Sequence, residues 1–196
     1  MCGIVGYIGS NEAAPVLLEG LRRLEYRGYD SAGLAVSANS DEFQLRRAAG
    51  KLRNLEEILR VSPVDGNYGI GHTRWATHGR PSHENAHPHI DCQGRIAVAH
   101  NGIVENYLEL KRRLTDGGHI FESETDTEVI SHLVEEGMAR GLSFQEAFRR
   151  MGRMVKGSQA ISAVFEGREA EICALRLGYA GGLVVAQADG QTIIGS

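Results

Sequence analysis

The sequence predicts an α+β fold in which helices pack on antiparallel sheets. Three observations carry this. Strand patterns open the chain, helical patterns fill its middle, and strand patterns return after Ala160. The regular alternation of a parallel βαβ array is missing. Glycine is abundant, with 25 residues, while aromatics make up only 6%, which suits short strands joined by tight turns. A length of 196 residues with 42% apolar content fits one large domain over residues 1–196, or two very small ones.

The elements follow in order. Cys2 to Gly9 is a short Val/Ile run broken by glycine, which favours a buried strand. Asn11 to Tyr26 places Val16, Leu17, Leu21 and Leu24 at helical spacing, with Pro15 in the first turn. Ser31 to Ser37 and Glu42 to Ala49 read as neighbouring strands. Leu52 to Val61 is an amphipathic helix closed by Ser62-Pro63, and Asn67 to Trp75 a further strand. Thr77 to Asp91 is rich in His, Pro and Asn without periodicity. Loops of that length in compact domains are usually functional or disordered. Arg95 to Ala99 is strand-like and ends at His100-Asn101-Gly102. Helices are expected at Val104 to Leu114, Asp126 to Ala139 and Ser143 to Val155, the second capped within Thr125-Asp126-Thr127-Glu128. Ala160 to Ile194 reads as three or four short strands.

The formal charge is -4, and Arg22, Arg23 and Arg27 alternate with Glu19 and Glu25, so nothing forms the basic stripe of a nucleic-acid binder. Cys2, Cys92 and Cys173 are an odd set without repeated spacing. That argues against a disulfide framework and for a reducing, cytoplasmic compartment. Signal-peptide and membrane-spanning patterns are not expected.

Cys2 is the first chemical candidate. Removal of Met1 would leave a thiol and an α-amine on one residue. An α-amine titrates near pH 8, about two units below lysine, so it can take the thiol proton without a histidine partner. A cysteine in a first strand is more often simply buried. His100-Asn101-Gly102 adds a side-chain amide and a backbone N–H at a strand end, the parts of an oxyanion hole, though an ordinary Asn-Gly turn has the same sequence. Arg74, within Gly71 to Gly79, could bind a carboxylate bidentately, with Thr77 and His78 as further donors. Asp126 could bind an ammonium or merely cap a helix. A rival reading gathers His78, His83, His87, His89 and Cys92 as a metal-binding loop, but their spacing matches no common structural zinc pattern.

Together these segments resemble the glutaminase domain of the glutamine–fructose-6-phosphate transaminases. The resemblance rests on Met1 to Gly6, Leu24 to Gly33, Gly71 to Gly79, Asn85 to His89, His100 to Gly102 and Ser123 to Val129. Trp75 and the Tyr26/Tyr29 pair favour this amino-sugar branch over the similar amidotransferases of purine synthesis. The resemblance implies an N-terminal-nucleophile hydrolase fold, a four-layer αββα sandwich of two mostly antiparallel sheets. It implies that Cys2 attacks the glutamine amide, with Asn101 and Gly102 as oxyanion hole. Arg74, Thr77, His78 and Asp126 would hold the amino acid, and Trp75 would gate an ammonia channel. Arg27 is similar to a residue near the nucleophile, and His87 to one near the interface with a sugar domain. No cofactor and no metal are implied. The expected partners are glutamine and a sugar-phosphate isomerase domain or subunit that this chain lacks, with no nucleic acid and no membrane. The chain departs from the family at Arg176 to Leu183 and at Ser158 to Ala160, which puts the pairing of the last strands in doubt more than the chemistry. Two alternatives stay open: an amidase or amidotransferase with another acceptor, and the histidine-rich metal module.

Overall fold

A computed structural model describes residues 2–37, 42–76, 78–166 and 170–196. Along the chain come β1 (Gly3–Ile8), α1 (Ala13–Leu24), a 3₁₀ turn (Glu25–Arg27), β2 (Ser31–Ser37), β3 (Gln44–Ala49), α2 (Leu52–Val61) and β4 (Tyr68–Arg74). They are followed by β5 (His89–Ile90), β6 (Ile96–Gly102), α3 (Tyr107–Asp116), α4 (Glu128–Ala139) and α5 (Phe144–Met154). Four strands close the chain: β7 (Gln159–Phe165), β8 (Glu171–Leu177), β9 (Val184–Ala188) and β10 (Gln191–Gly195).

The strands form two sheets, ordered β3-β2-β4-β1-β10-β9 and β5-β6-β7-β8, and every pairing is antiparallel. Strand alternation sorts the side chains into three apolar layers. Val5 and Tyr7 of β1 and Leu34 and Val36 of β2 face α1 and α2, meeting Leu17, Leu21, Leu52 and Leu55. Ile4 and Ala35, one residue out of phase on the same strands, face the other way. With Tyr68, Ile70, Ala97, Ala99 and Val164 they fill the space between the sheets. Ile96, Val98, Ile161 and Ala163 face α3, α4 and α5. The order helix, sheet, sheet, helix is the αββα sandwich that the resemblance implied. Each large apolar side chain buried in these layers stabilises the fold by about 1.5–3 kcal/mol.

Local chemistry sets the boundaries. α5 opens with a capping box: Ser143 Oγ accepts from the Glu146 N–H, and the Glu146 carboxylate accepts from the Ser143 N–H. The expected cap of the preceding helix is corrected: α4 begins at Glu128, not Asp126, and Thr127 makes no side-chain cap. The Asp126 carboxylate instead accepts from the Val104 N–H at 2.7 Å, so helix α3 starts only at Tyr107. Both side chains are committed to the cleft described below. The C-terminal strands, whose pairing was in doubt, are placed: β8 extends the smaller sheet beside β7, and the β9–β10 hairpin docks on β1.

Candidate active site

β1 and β4 pair antiparallel with Gly3 opposite Thr73. One more step brings Cys2 level with Arg74, where both strands end. The Trp75 N–H donates to Cys2 Sγ at 3.2 Å, and the thiol lies 3.6 Å from the Trp75 carbonyl oxygen that accepts its proton. Burial pushes the thiol pKa up, while the Trp75 N–H and the Arg74 charge pull it down, and burial prevails. The thiol is therefore protonated at neutral pH and needs a base before it can attack.

Asn101 and Gly102 end β6 in the facing sheet. The Asn101 amide N–H₂ donates to the Cys2 carbonyl oxygen at 3.1 Å and to Ser196 Oγ at 3.3 Å. Its orientation is imposed from behind: buried His72 Nε2 lies 3.0 Å from Asn101 Oδ1. Burial holds His72 down at about 3, so the ring is neutral and its Nε2–H donates to the amide oxygen. The amide nitrogen is thereby turned toward Cys2. Gly102 has φ +140°, and a Cβ there would sit 2.4 Å from the Ser158 carbonyl oxygen. Only glycine fits that backbone turn.

Arg74 is 3% exposed. Its Nη2 donates to the carbonyls of His78 and Gly79, while its Nη1 is buried without a hydrogen-bond partner. A buried guanidinium with a spare donor is a ready carboxylate site. Asp126, 4% exposed, lines the same cleft and supplies the opposite charge. The cleft encloses about 560 Å³ and is bordered by Cys2, Arg27, Arg74, Trp75, Asn101 and Asp126. Its polar groups can fix both ends of a small zwitterion beside a thiol.

Buried histidines lie behind the cleft. Gln159 Nε2 donates to two backbone carbonyls, so its Oε1 accepts from His100 Nε2–H. His100 Nδ1 then accepts the Thr127 hydroxyl proton at 2.9 Å, and His87 Nε2–H donates to the same hydroxyl at 2.8 Å. On the far side His89 Nε2 bonds Thr125 Oγ1 at 2.9 Å. The His87 ring lies 4.3 Å from His72 and 4.8 Å from His89, centre to centre. Burial keeps all four neutral: His72 and His89 at about 3, His87 well below its ordinary value, and His100 lowered.

The structure thus brings Cys2, Arg27, Arg74, Trp75, His87, Asn101, Gly102 and Asp126 to one cleft. His78 contributes its backbone carbonyl to Arg74 and packs its ring on Tyr107, with its Nδ1 buried and unpartnered. Thr77 lies outside the described residues. His87, which the resemblance places near the interface with a sugar domain, is buried and borders the cleft. The rival histidine loop does not assemble: His83 is exposed, His87 and His89 are bonded to threonines, and the Cys92 thiol contacts His119 and His132. Sequence reasoning missed Asp30, whose carboxylate accepts from the Ala76 N–H at 2.9 Å and fixes the turn after Arg74. It also missed His72 and Thr127, which act through contacts made far along the chain. The divergent segment after Arg176 reaches the chemistry after all, because Tyr179, Ala180 and Gly181 form part of the cleft wall.

Comparison with known proteins agrees with this geometry. Residues 60–149 match the model of a glutamine amidotransferase domain. The glutamine–fructose-6-phosphate aminotransferase of Pyrococcus horikoshii is 53% identical over 165 residues, covering 84% of this chain and 27% of the relative. That of Gluconobacter oxydans is 47% identical over 196 residues, covering all of this chain and 32% of the relative. Among solved structures, the glutamine phosphoribosylpyrophosphate amidotransferase of B. subtilis superposes with TM-score 0.83 at 26% identity, covering 99% of this chain and 41% of that one. A glutamine aminotransferase class-II domain protein from Silicibacter pomeroyi shares the fold alone, with TM-score 0.59 and 16% identity over 99% of this chain and 88% of that one. Fold, cleft and matches define a glutamine amidotransferase domain of the N-terminal-nucleophile type. The chain belongs with the amidotransferase domains of the glutamine–fructose-6-phosphate aminotransferases, and it spans about a third of the length of those relatives.

Proposed function

We propose that residues 1–196 form one glutaminase domain that hydrolyses glutamine through Cys2 and supplies the ammonia to fructose 6-phosphate on a sugar-phosphate isomerase domain or subunit. The observation that carries the reading is the pairing of a thiol with two charges of opposite sign in one cleft. The unpartnered Nη1 of Arg74 takes the α-carboxylate of glutamine, and Asp126 takes its α-ammonium. The side-chain amide then extends toward Cys2.

The hydrogen-bond partners of the thiol among the described residues are the N–H and carbonyl of Trp75, so neither supplies a base. The buried histidines are occupied in holding Asn101 and Thr127. The base is therefore the α-amine that Cys2 gains when Met1 is removed. With Met1 attached, that nitrogen is a peptide nitrogen and cannot accept the proton. The α-amine takes the thiol proton, and the thiolate attacks the amide carbon. The oxyanion forms toward Asn101 Nδ2 and the Gly102 N–H, each worth about 3 kcal/mol at the transition state. Collapse breaks the C–N bond, the α-ammonium returns its proton to the leaving nitrogen, and ammonia departs. Water then hydrolyses the γ-glutamyl thioester to glutamate and restores the thiol.

The test compares glutamine with N-acetylglutamine on Met1-free protein. The reading expects glutamate from glutamine and at least about a hundredfold lower kcat/KM for the blocked substrate, because Asp126 loses its cation. Equal rates would mean an amidase of other specificity. The acceptor is tested by adding a sugar-phosphate isomerase partner with fructose 6-phosphate and looking for amino-sugar phosphate; its absence with an active glutaminase would leave the hydrolysis standing and remove the acceptor.

A further inference from the structure

A second group of reactive side chains lies outside the glutamine cleft. Cys92 sits in the turn between β5 and β6, His119 follows α3, and His132 and Glu135 occupy one face of α4 at i, i+3 spacing. Their donor atoms all lie within 4.8 Å of one another. Cys92 Sγ is 3.6 Å from His132 Nδ1 and 3.9 Å from His119 Nδ1. Glu135 Oε2 is 2.9 Å from His119 Nδ1 and 3.1 Å from His132 Nδ1.

From these contacts we infer that Cys92, His119, His132 and Glu135 form a structural zinc site. Three arguments converge. The first is geometric. Tetrahedral zinc with Zn–S of about 2.3 Å and Zn–N or Zn–O of about 2.0 Å places sulfur about 3.5 Å from nitrogen, and nitrogen about 3.3 Å from oxygen. The sulfur lies slightly farther than that from both nitrogens, at 3.6 and 3.9 Å, and the Glu135 oxygen slightly closer, at 2.9 and 3.1 Å. All the donor pairs lie within 4.8 Å, so the ligands close on a common centre by side-chain shifts of about an ångström. The second is charge. One thiolate, one carboxylate and two neutral imidazoles carry the two negative charges that neutralise a dication in a half-buried site. A sulfur, two nitrogens and an oxygen suit borderline-soft zinc better than magnesium or calcium, which take oxygen. The third is the surrounding shell. His132 is 1% exposed, and its Nε2 makes no hydrogen bond but lies 3.8 Å from Glu128 Oε1. Metal ligation through Nδ1 fixes the proton on Nε2 and aims it at that carboxylate, the usual support of a ligating histidine. A cavity of about 270 Å³ bordered by Cys92, His132 and Glu128 gives an ion access.

Four protein ligands leave no open position, so the metal is structural rather than catalytic. It would tie the β5–β6 turn and the α3–α4 connection to α4, the helix that starts directly after Asp126 and Thr127. The sequence reading expected no metal. It searched the loop histidines for close spacing, whereas these ligands come from three elements and span Cys92 to Glu135.

The experiment strips the purified protein with a chelator and titrates it with Co²⁺, then Zn²⁺. The expected result is one Co²⁺ per chain, with a thiolate-to-cobalt charge-transfer band, tetrahedral d–d bands, and displacement by Zn²⁺. Zinc at about a hundredfold excess over Kd should raise Tm by roughly 5–10 °C. Cys92→Ser, at an exposed position, should keep the fold and lose the charge-transfer band. His119→Ala independently should weaken zinc binding by at least about a hundredfold. Octahedral or absent cobalt spectra, a band that survives Cys92→Ser, or a Tm indifferent to zinc would overturn the assignment. None of these readouts depends on glutamine hydrolysis.

Discussion

Lowering the pH from 7 to 5 will destabilise this domain through the histidines behind its cleft. His72 and His89 are held at about 3 and His87 well below its ordinary value, in each case chiefly by burial. In the unfolded chain each titrates near 6.5. Between those limits the unfolded state binds protons that the folded state refuses, so stability rises with pH across the window and is lost on acidification. At pH 5 the loss is about 2 kcal/mol for each of His72 and His89, on the order of 4 kcal/mol together, and His87 adds to it in the same direction. His100 acts in the same direction. His132 opposes it. Burial pushes its pKa down, but Glu128 and Glu135 outweigh that and leave it raised, so its contribution is retained at pH 5 and fades as pH rises through its folded pKa. With a urea slope of about 3 kcal/mol/M, the midpoint should fall by roughly 1–1.5 M between pH 7 and pH 5. Urea titrations followed by circular dichroism at both pH values measure it. An unchanged midpoint would refute the claim that these rings are buried neutral.

Other outcomes follow from single contacts. Arg74→Lys keeps the charge but loses the planar fork, so KM for glutamine should rise roughly 30-fold with kcat little changed; a steady-state ammonia assay separates the two. Asn101→Ala should lower kcat by about 10²–10³. Urea melts of the same variant show whether the release of the Cys2 carbonyl unfolds anything. Gly102→Ala drives a Cβ to 2.4 Å from the Ser158 carbonyl oxygen at a positive φ, and should destabilise by roughly 2–4 kcal/mol in urea.

Much of this architecture is legible in the sequence, for definable reasons. β2 and α2 are found at the expected bounds, Ser31–Ser37 and Leu52–Val61. The first is a run of small and apolar residues between two serines, and the second a strongly amphipathic one ended by Ser62-Pro63. Errors fall where side chains serve the cleft rather than their own helix. Asp126 and Thr127 look like caps, yet one holds the Val104 N–H and the other bridges His87 and His100. β6 runs past Ala99 to Gly102 because Gln159 pairs with it from across the sheet, a contact no local pattern encodes. The site was legible through short motifs and the family resemblance they carry. His72 was not, because a histidine inside a strand reads as core until its ring is seen on Asn101. The Cys92 group was hidden for the same reason, its four ligands being scattered over a turn, a connection and a helix.

Cys2 remains the centre of the account, and one measurement tests it most directly. A glutamine-analogue electrophile is added to protein whose intact mass shows Met1 removed, and the labelled peptide is located by mass spectrometry. Stoichiometric modification at Cys2, with Cys92 and Cys173 untouched and glutaminase activity lost in step, is the expected result. Protein that retains Met1 should not react. Labelling elsewhere, or full glutaminase activity in Cys2→Ala, would contradict the assignment of the nucleophile.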